Sequence, residues 1–459
     1  MFKRILIANR GEIALRILRC CREMEIETVL VYSTPDKDSL PVQLATYPIC
    51  IGPANAAKSY LNKDIIVDIA LKTECEAVHP GYGFLSENAD FARKCEENGL
   101  VFIGPSAEII ENMGDKQSAR KLMMEHKVPV VPGSRDLVKD SKEAKRIADE
   151  IGYPVLIKAS AGGGGRGMRK AFSREEIENA FNTAKAEAES AFGNGDMYIE
   201  KLILKPHHIE FQILGDKFGN IIHIGERDCS IQRRNQKMIE ESPSKVLSEK
   251  LRKKMGDAAV RAAKAAGYYS AGTIEFVLDD NENFYFIEMN TRIQVEHPVT
   301  EMVSGIDLLK EQIRIAAGLK LSVKQEDVVL KGHAIECRIN AENPREGFKP
   351  SPGKIGFLHL PAGNGVRVET AAYSGYEISP FYDSMVAKII VHAPNRLEAI
   401  RKMRCAIEEF IIEGVITNEA FQYIIMYHPE YIMGKYNTGF LEEHMEELLE
   451  WNIENGENK

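Results

Sequence analysis

Apolar residues along the first hundred positions fall into two alternating rhythms. Short runs at residues 4–8 (RILIA), 28–33 (TVLVYS) and 100–104 (LVFIG) read as buried strands. Residues 11–24 (GEIALRILRCCREM) and 87–97 (ENADFARKCEE) carry apolar positions at helical spacing. With the strand-like AVHPGYG at 77–83, the order predicts βαβ units around a parallel sheet with right-handed crossovers. The first strand runs into Asn9-Arg10-Gly11-Glu12, without the three-glycine spacing that brings backbone against a pyrophosphate, so NAD binding is disfavoured.

Helices are expected over 107–112 and 116–126, followed by Pro129 and Pro132 as linker punctuation. Residues 131–203 form a compact α+β stretch: a helix over 141–150, the strand PVLIKAS, a glycine loop, the strand MRKAF, a helix over 174–191 and the strand MYIEKLI. The remainder to 446 is strand-rich with flanking helices, and 447–459 is read as a tail that is polar and frays after Trp451. The expected fold is multidomain, α/β and α+β. A Rossmann-like parallel sheet over 1–104 and a helical linker over 105–130 precede the glycine-loop unit over 131–203 and a larger strand-rich region over 204–446.

Candidate chemistry gathers in two places. The run 288–296 (EMNTRIQVE), taken as an extended strand, would point Glu288, Asn290, Arg292, Gln294 and Glu296 to one face. Just upstream, residues 272–290 read as a hairpin; if Asn281 and Glu282 form its loop, Glu275 lies opposite Glu288. Carboxylates so placed, roughly 5 Å apart at their Cβ atoms, repel unless a cation joins them. A hard ion such as Mg²⁺ accepts these oxygens, and Asn290 offers another. In the second place, SAGGGGRG at 160–167 can turn backbone N–H groups toward phosphate oxygens, although it is not a Walker loop. Lys158 in an apolar strand before it, and Lys201 after Glu200, each need an anion if buried. Together these features point to a nucleoside triphosphate with Mg²⁺.

Composition narrows the partners. The net charge of −9 argues against a nucleic-acid partner. The eight cysteines form no C-x-x-C pair, which signals neither a disulfide framework nor a zinc site and fits a reducing cytoplasm. No signal segment or membrane span is read at the start of the chain.

The strings NRGEIALRI, HPGYGFLSEN, KASAGGGGRGM, ERDCSIQRR, FIEMNTRIQVEHPVTE and SPGKI, spread from Lys3 to about residue 445, resemble the biotin carboxylase family of the ATP-grasp superfamily. The resemblance implies an ATP-grasp lid and core. It also implies carboxylation of biotin on a separate biotin carboxyl carrier protein, with bicarbonate and ATP reacting through carboxyphosphate. No Met-Lys dipeptide of the biotin-accepting kind is present, so a freestanding subunit is expected, of the kind found in acetyl-CoA carboxylase in fatty-acid synthesis. Alternatives are the equivalent subunit of a pyruvate or propionyl-CoA carboxylase, another ATP-grasp ligase, or a catalytically silent organising subunit.

By motif, the resemblance assigns ATP contacts to Lys116, Lys158, Gly164, Gly165, Glu200, Lys201, Ile203, His208 and Gln232, with Glu275, Glu288 and Asn290 holding two Mg²⁺ or Mn²⁺ ions; Asn235 can still hydrogen-bond the nucleotide. It assigns bicarbonate to Lys237, Arg292, Gln294 and Val295, the base to Glu296, biotin to Arg338, and partners to carboxyltransferase subunits and a second copy of the chain; HPGYG at 79–83 reads either as a biotin contact through Tyr82 or as a structural turn. The chemistry agrees: bicarbonate needs a carboxylate to take its proton, and a guanidinium fork can hold the resulting dianion. Asn235 stands where many members of the family carry histidine. Cys229 is expected to be inert, and His297 to be a turn residue.

Overall fold

A computed structural model describes residues 1–134, 136–159 and 167–456. The N-terminal region builds a parallel five-stranded sheet from β1 (Arg4–Ile7), β2 (Glu27–Ser33), β3 (Tyr47–Gly52), β4 (Ala77–His79) and β5 (Val101–Phe102), in the order β3-β2-β1-β4-β5. The chain order reverses between β1 and β4, the switch point at which α/β sheets open a crevice. Helix α1 (Gly11–Glu23) starts at that point and buries Ile13, Ile17 and Leu18 against the sheet. Helices α2 (Leu40–Leu44), α3 (Lys63–Lys72) and α4 (Ala89–Glu97) complete this region. Asn62 and Asn88 cap the last two by accepting backbone N–H groups.

Helices α5 (Ala107–Gly114) and α6 (Lys116–Glu125) connect to a small α+β unit. There α7 (Ser141–Ile151) and α8 (Ile177–Phe192) cover one side of β6 (Val155–Ala159), β7 (Met168–Ala171) and β8 (Met197–Lys201), in the order β7-β6-β8. The second helix begins three residues later than the pattern suggested. Gly167, at φ +69°, ends the glycine stretch; a Cβ there would lie 2.9 Å from that of Ala159, so glycine is required where the two strands meet.

The rest of the molecule is organised by one eight-stranded sheet. Its strands are β9 (His207–Gly215), β10 (Ile221–Arg233), β11 (Gln236–Ser242), β12 (Ser270–Leu278), β13 (Phe284–Asn290), β14 (His333–Asn340), β15 (Val366–Thr370) and β16 (Met385–Ala393), in the order β13-β12-β9-β10-β11-β14-β16-β15. Period-two alternation divides its faces. Ile209, Phe211, Ile274 and Phe276 pack beneath α9 (Glu249–Ala265) through Met255, Ala258 and Ala262. Further along, Ile335, Cys337, Ile389 and Val391 pack against α12 (Arg396–Glu409). The intervening positions, Glu210, Glu275, Glu336, Arg338 and Lys388, belong to the opposite face, partly covered by α10 (His297–Ser304), with α11 (Leu308–Ala316) following.

Two expectations are corrected here. The strand read through 288–296 stops at Asn290; residues 291–296 form an irregular turn into α10, because Pro298 favours the first turn of a helix and ends pairing. The tail expected from 447 is helical through Gly456, its Leu448 fully buried in the C-terminal core. Among the described residues no helix is long and apolar enough to cross a membrane.

Candidate active site

The hairpin β12–β13 places Glu275 opposite Glu288 as expected, but by another route. The connection is a three-residue loop over 280–282 with Glu282 at φ +61°, closed by Asp279 N–H donating to Asn283 O at 2.9 Å. That loop alone would place Glu275 one residue out of step. Ile287 has no partner in the ladder, and this bulge restores the pairing and returns Glu288 and Asn290 to the site face. β9 extends the row, with Glu210 beside Glu275 and Arg227 of β10 beyond it.

Lys237 is the hub. Its Nζ donates to Glu210 Oε2 at 2.5 Å, Glu275 Oε1 at 2.9 Å and Glu296 Oε1 at 2.7 Å. Burial alone would lower its pKa, but the three carboxylates outweigh burial and hold the ammonium firmly charged. Glu296 is fully buried beneath the cavity wall, and its Oε2 receives Arg338 Nη2 at 2.9 Å. Burial would raise this carboxyl, whereas Lys237, Arg338 and Arg227 hold it well below the usual carboxylate range. Glu275 is likewise pulled down against its burial by Lys237 and His208, whose Nε2 lies 2.9 Å from Glu275 Oε2. Its Oε1 also accepts Asn290 Nδ2 at 2.9 Å and Gln294 Nε2 at 3.0 Å.

Arg292 is held from the N-terminal region: its Nε donates to Glu87 Oε2 at 2.9 Å, and its Nη2 to Asn290 Oδ1 at 3.0 Å. Lys388, fully buried, donates to Val295 O at 2.7 Å and lies 3.1 Å from Glu12 Oε1, which also accepts the Tyr82 hydroxyl. Lys158 pairs with Glu200 across the small sheet, Lys201 donates to Tyr153 O at 2.5 Å, and Lys116 lies 3.5 Å from Glu288. Asn235 has φ +64° and follows Arg234 at +49° in the two-residue turn between β10 and β11. Both φ signs suit a type I′ turn, in which asparagine is favoured, so backbone geometry accounts for the residue there.

These side chains, except Glu87, Glu210, Arg227, Glu296 and Lys388, open on one cavity of about 1950 Å³ between the small α+β unit, the eight-stranded sheet and the switch-point end of the parallel sheet. Ile203 and Gln232 line it as well. Gly164 and Gly165 lie outside the described residues. Cys229 is fully buried and burial pushes its thiol up, as expected of an inert cysteine. His297 is the first residue of α10, its Nδ1 2.8 Å from Gln294 O. Sequence reasoning missed Glu87, Glu210, Arg227, Glu240, Glu336 and Lys388. The available signal was a charged residue inside an otherwise apolar strand, as in HHIEFQILG and HAIECRIN.

Glu275 and Glu288 are facing oxygen donors with Asn290 Oδ1 nearby, a set that fits a hard divalent cation. A nucleotide-sized cavity between two α+β units, with paired carboxylates and converging cations, defines the ATP-grasp class. Known families agree. The biotin carboxylase N-terminal domain matches residues 1–110, the carbamoyl-phosphate synthase L chain ATP-binding domain residues 115–324, and the biotin carboxylase C-terminal domain residues 336–443. Biotin carboxylase 1 of Bacillus subtilis (strain 168) is 57% identical over 443 residues, 96% of this chain and 98% of the relative. A crystal structure of the biotin carboxylase domain dimer of Hydrogenobacter thermophilus 2-oxoglutarate carboxylase, with MgADP, ADP and bicarbonate, superposes with a TM-score of 0.91. It is 54% identical and covers 98% of this chain and 99% of that one. The crystal structure of a pyruvate carboxylase's biotin carboxylase component superposes with a TM-score of 0.87, is 52% identical, and covers 98% and 99% of the two chains. The chain belongs to the biotin carboxylase family and is an ATP-grasp ligase.

Proposed function

We propose that this protein carboxylates biotin on a separate carrier protein, using ATP and bicarbonate, as the first half-reaction of acetyl-CoA carboxylase in fatty-acid synthesis. The observation that carries the reading is the Lys237–Glu296–Arg338 bridge at the wall of the nucleotide-sized cavity. Glu296 is ionised and ready to accept a proton, but its two cations occupy it. Bicarbonate held by Arg292 offers Lys237 a new partner, which frees one oxygen of Glu296 to take the bicarbonate proton. The resulting dianion attacks the γ-phosphorus of ATP, giving carboxyphosphate and ADP. Lys116, Lys158, Lys201 and His208 neutralise the phosphates, with Gln232 and Asn235 toward the nucleoside and Glu200 orienting Lys158. Glu275, Glu288 and Asn290 would hold Mg²⁺ or Mn²⁺, which supplies charge neutralisation between the phosphate oxygens. Arg338, beside Tyr82, favours the enolate of the biotin ureido group, whose nitrogen takes the carboxyl while released phosphate takes its proton.

A biotin carboxyl carrier protein, carboxyltransferase subunits and a second copy of the chain complete the proposed assembly. The last is supported by the dimer of the 2-oxoglutarate carboxylase domain, and a cytoplasmic location by eight unpaired cysteines. A second reading, the equivalent component of a carboxylase acting on pyruvate or 2-oxoglutarate, is favoured by the 52–54% identity to such relatives. Incubation with ATP, Mg²⁺, bicarbonate and free biotin tests the activity: biotin-dependent ADP release is expected, and its absence rejects the reading. Co-purified transferase subunits identify the acceptor.

A further inference from the structure

Glu240 on β11 and Glu336 on β14 are cross-strand partners, and both are fully buried. Two residues along β14 stands Arg338, and across from it on β16 stands Lys388. Arg338 Nη2 lies 2.6 Å from Glu240 Oε1 and 2.9 Å from Glu296 Oε2, so one nitrogen is shared between two carboxylates. The contact to Glu240 is an ion pair without hydrogen-bond alignment. Neither oxygen of Glu240 or Glu336 has a hydrogen-bond partner of acceptable geometry among the described residues. The titratable groups that act on the pair are the cations Arg338, Lys388 and Lys237, the carboxylate Glu296, and the neutral thiols Cys229 and Cys337. Lys237 is already engaged by three carboxylates, and Lys388 by Val295 and Glu12. Adjacent carboxyls in such an interior cannot both stay ionised.

We propose that Glu240 and Glu336 share one proton as a positioning pair, and that the single negative charge left on them draws Arg338 partly away from Glu296. This keeps Glu296 available as base and gives Arg338 a second anchor when it turns to substrate. The idea rests on the functional reading above, because it acts through Arg338 and Glu296. Burial pushes Glu240 up to about 7, with Arg338 offsetting part of the rise, and raises Glu336 well above the carboxylate range. Above neutrality the pair therefore holds one proton between its two carboxyls. As pH falls through about 7, the pair takes its second proton and becomes neutral, and Arg338 is left to Glu296 alone.

Infrared difference spectra of wild type against Glu336→Gln at pH 8 test the proton directly, whatever the enzyme's substrate. A protonated-carboxyl band lost in the variant is expected, and no such band overturns the proposal. In biotin-dependent turnover at pH 8, Glu240→Gln should lower kcat about tenfold or more with the KM for MgATP unchanged, and should flatten the fall in rate below pH 7. Glu336→Gln, which keeps a donor toward Glu240, should stay within about twofold of wild type, whereas Glu336→Leu should not. A wild-type pH profile in Glu240→Gln, or equal loss in Glu336→Gln and Glu336→Leu, overturns the positioning role.

Discussion

Glu296 is buried, yet it is held ionised by cations that a substrate anion can compete for. A base that must stay charged in a dry site needs such partners, and they must be able to leave. Glu296→Gln keeps the shape and the contact to Arg338 but removes the proton acceptor. Turnover should fall about 10²–10⁴-fold while nucleotide binding measured by calorimetry stays close to wild type; near-normal turnover would refute the assignment. Arg338→Ala should cut biotin carboxylation more than bicarbonate-dependent ATP cleavage, and equal losses in the two assays contradict its role at biotin. Most residues in these arguments were legible in the sequence because they share short strings, 286–301 above all. Glu240, Glu336 and Lys388 were not: each stands alone in an apolar strand, and pairing between strands distant in sequence brings them together.

Among the elements, the β12–β13 hairpin shows how little slack the site has. Two departures from the simplest hairpin, a three-residue loop and the bulge at Ile287, compensate to put Glu288 across from Glu275. Deleting Ile287 should carry Glu288 and Asn290 to the other face. Magnesium-dependent nucleotide binding should then weaken about tenfold or more, with far-UV circular dichroism retained; unchanged affinity would mean the pair holds no metal. On the neighbouring strand, Glu241 accepts His333 Nε2 at 2.6 Å, Arg396 Nε at 2.7 Å and the Tyr436 hydroxyl, tying β11 to β14, α12 and the C-terminal segment. Burial would raise its pKa, yet Arg396 and His333 bring it down to about 2 from 4.5. A folded-state pKa below the unfolded value stabilises the protein above pH 4.5, and that stability drains away as pH falls toward 2. The shift corresponds to about 3 kcal/mol. Glu241→Gln should therefore lower the Tm at pH 7 and flatten this part of the acid limb; an unaltered acid-unfolding curve would exclude the lock.

At the scale of the whole molecule, the cavity draws on every region. The N-terminal region supplies Glu12 and Tyr82 and holds Arg292 through Glu87, the small α+β unit supplies Lys158, Glu200 and Lys201, and the large sheet Glu275, Glu288 and Arg338. A ligand bound there touches all three units at once. MgATP at a hundredfold excess over its Kd should add about 2.7 kcal/mol to the unfolding free energy. A thermal-shift titration should follow that increment, with chelation of Mg²⁺ removing most of it. No shift at saturating nucleotide would mean that the cavity is not the nucleotide site.

The sequence by itself determined the parallel N-terminal sheet, the α+β character of the regions beyond it and the family, through its short motif strings. Those depend on local periodicity, on backbone freedom at glycine and proline, and on motifs short enough to read in one stretch. It misjudged 291–296, where alternating polar residues mimic a strand but Pro298 and the start of α10 bend the chain, so that Arg292, Gln294 and Glu296 converge through a turn. Only the tertiary structure decided how Lys237 meets three carboxylates, why Glu296 stays charged, and that Glu240 faces Glu336. These depend on strand order in an eight-stranded sheet and on burial. Both arise from contacts between distant parts of the chain, and single-residue pattern carries no record of them.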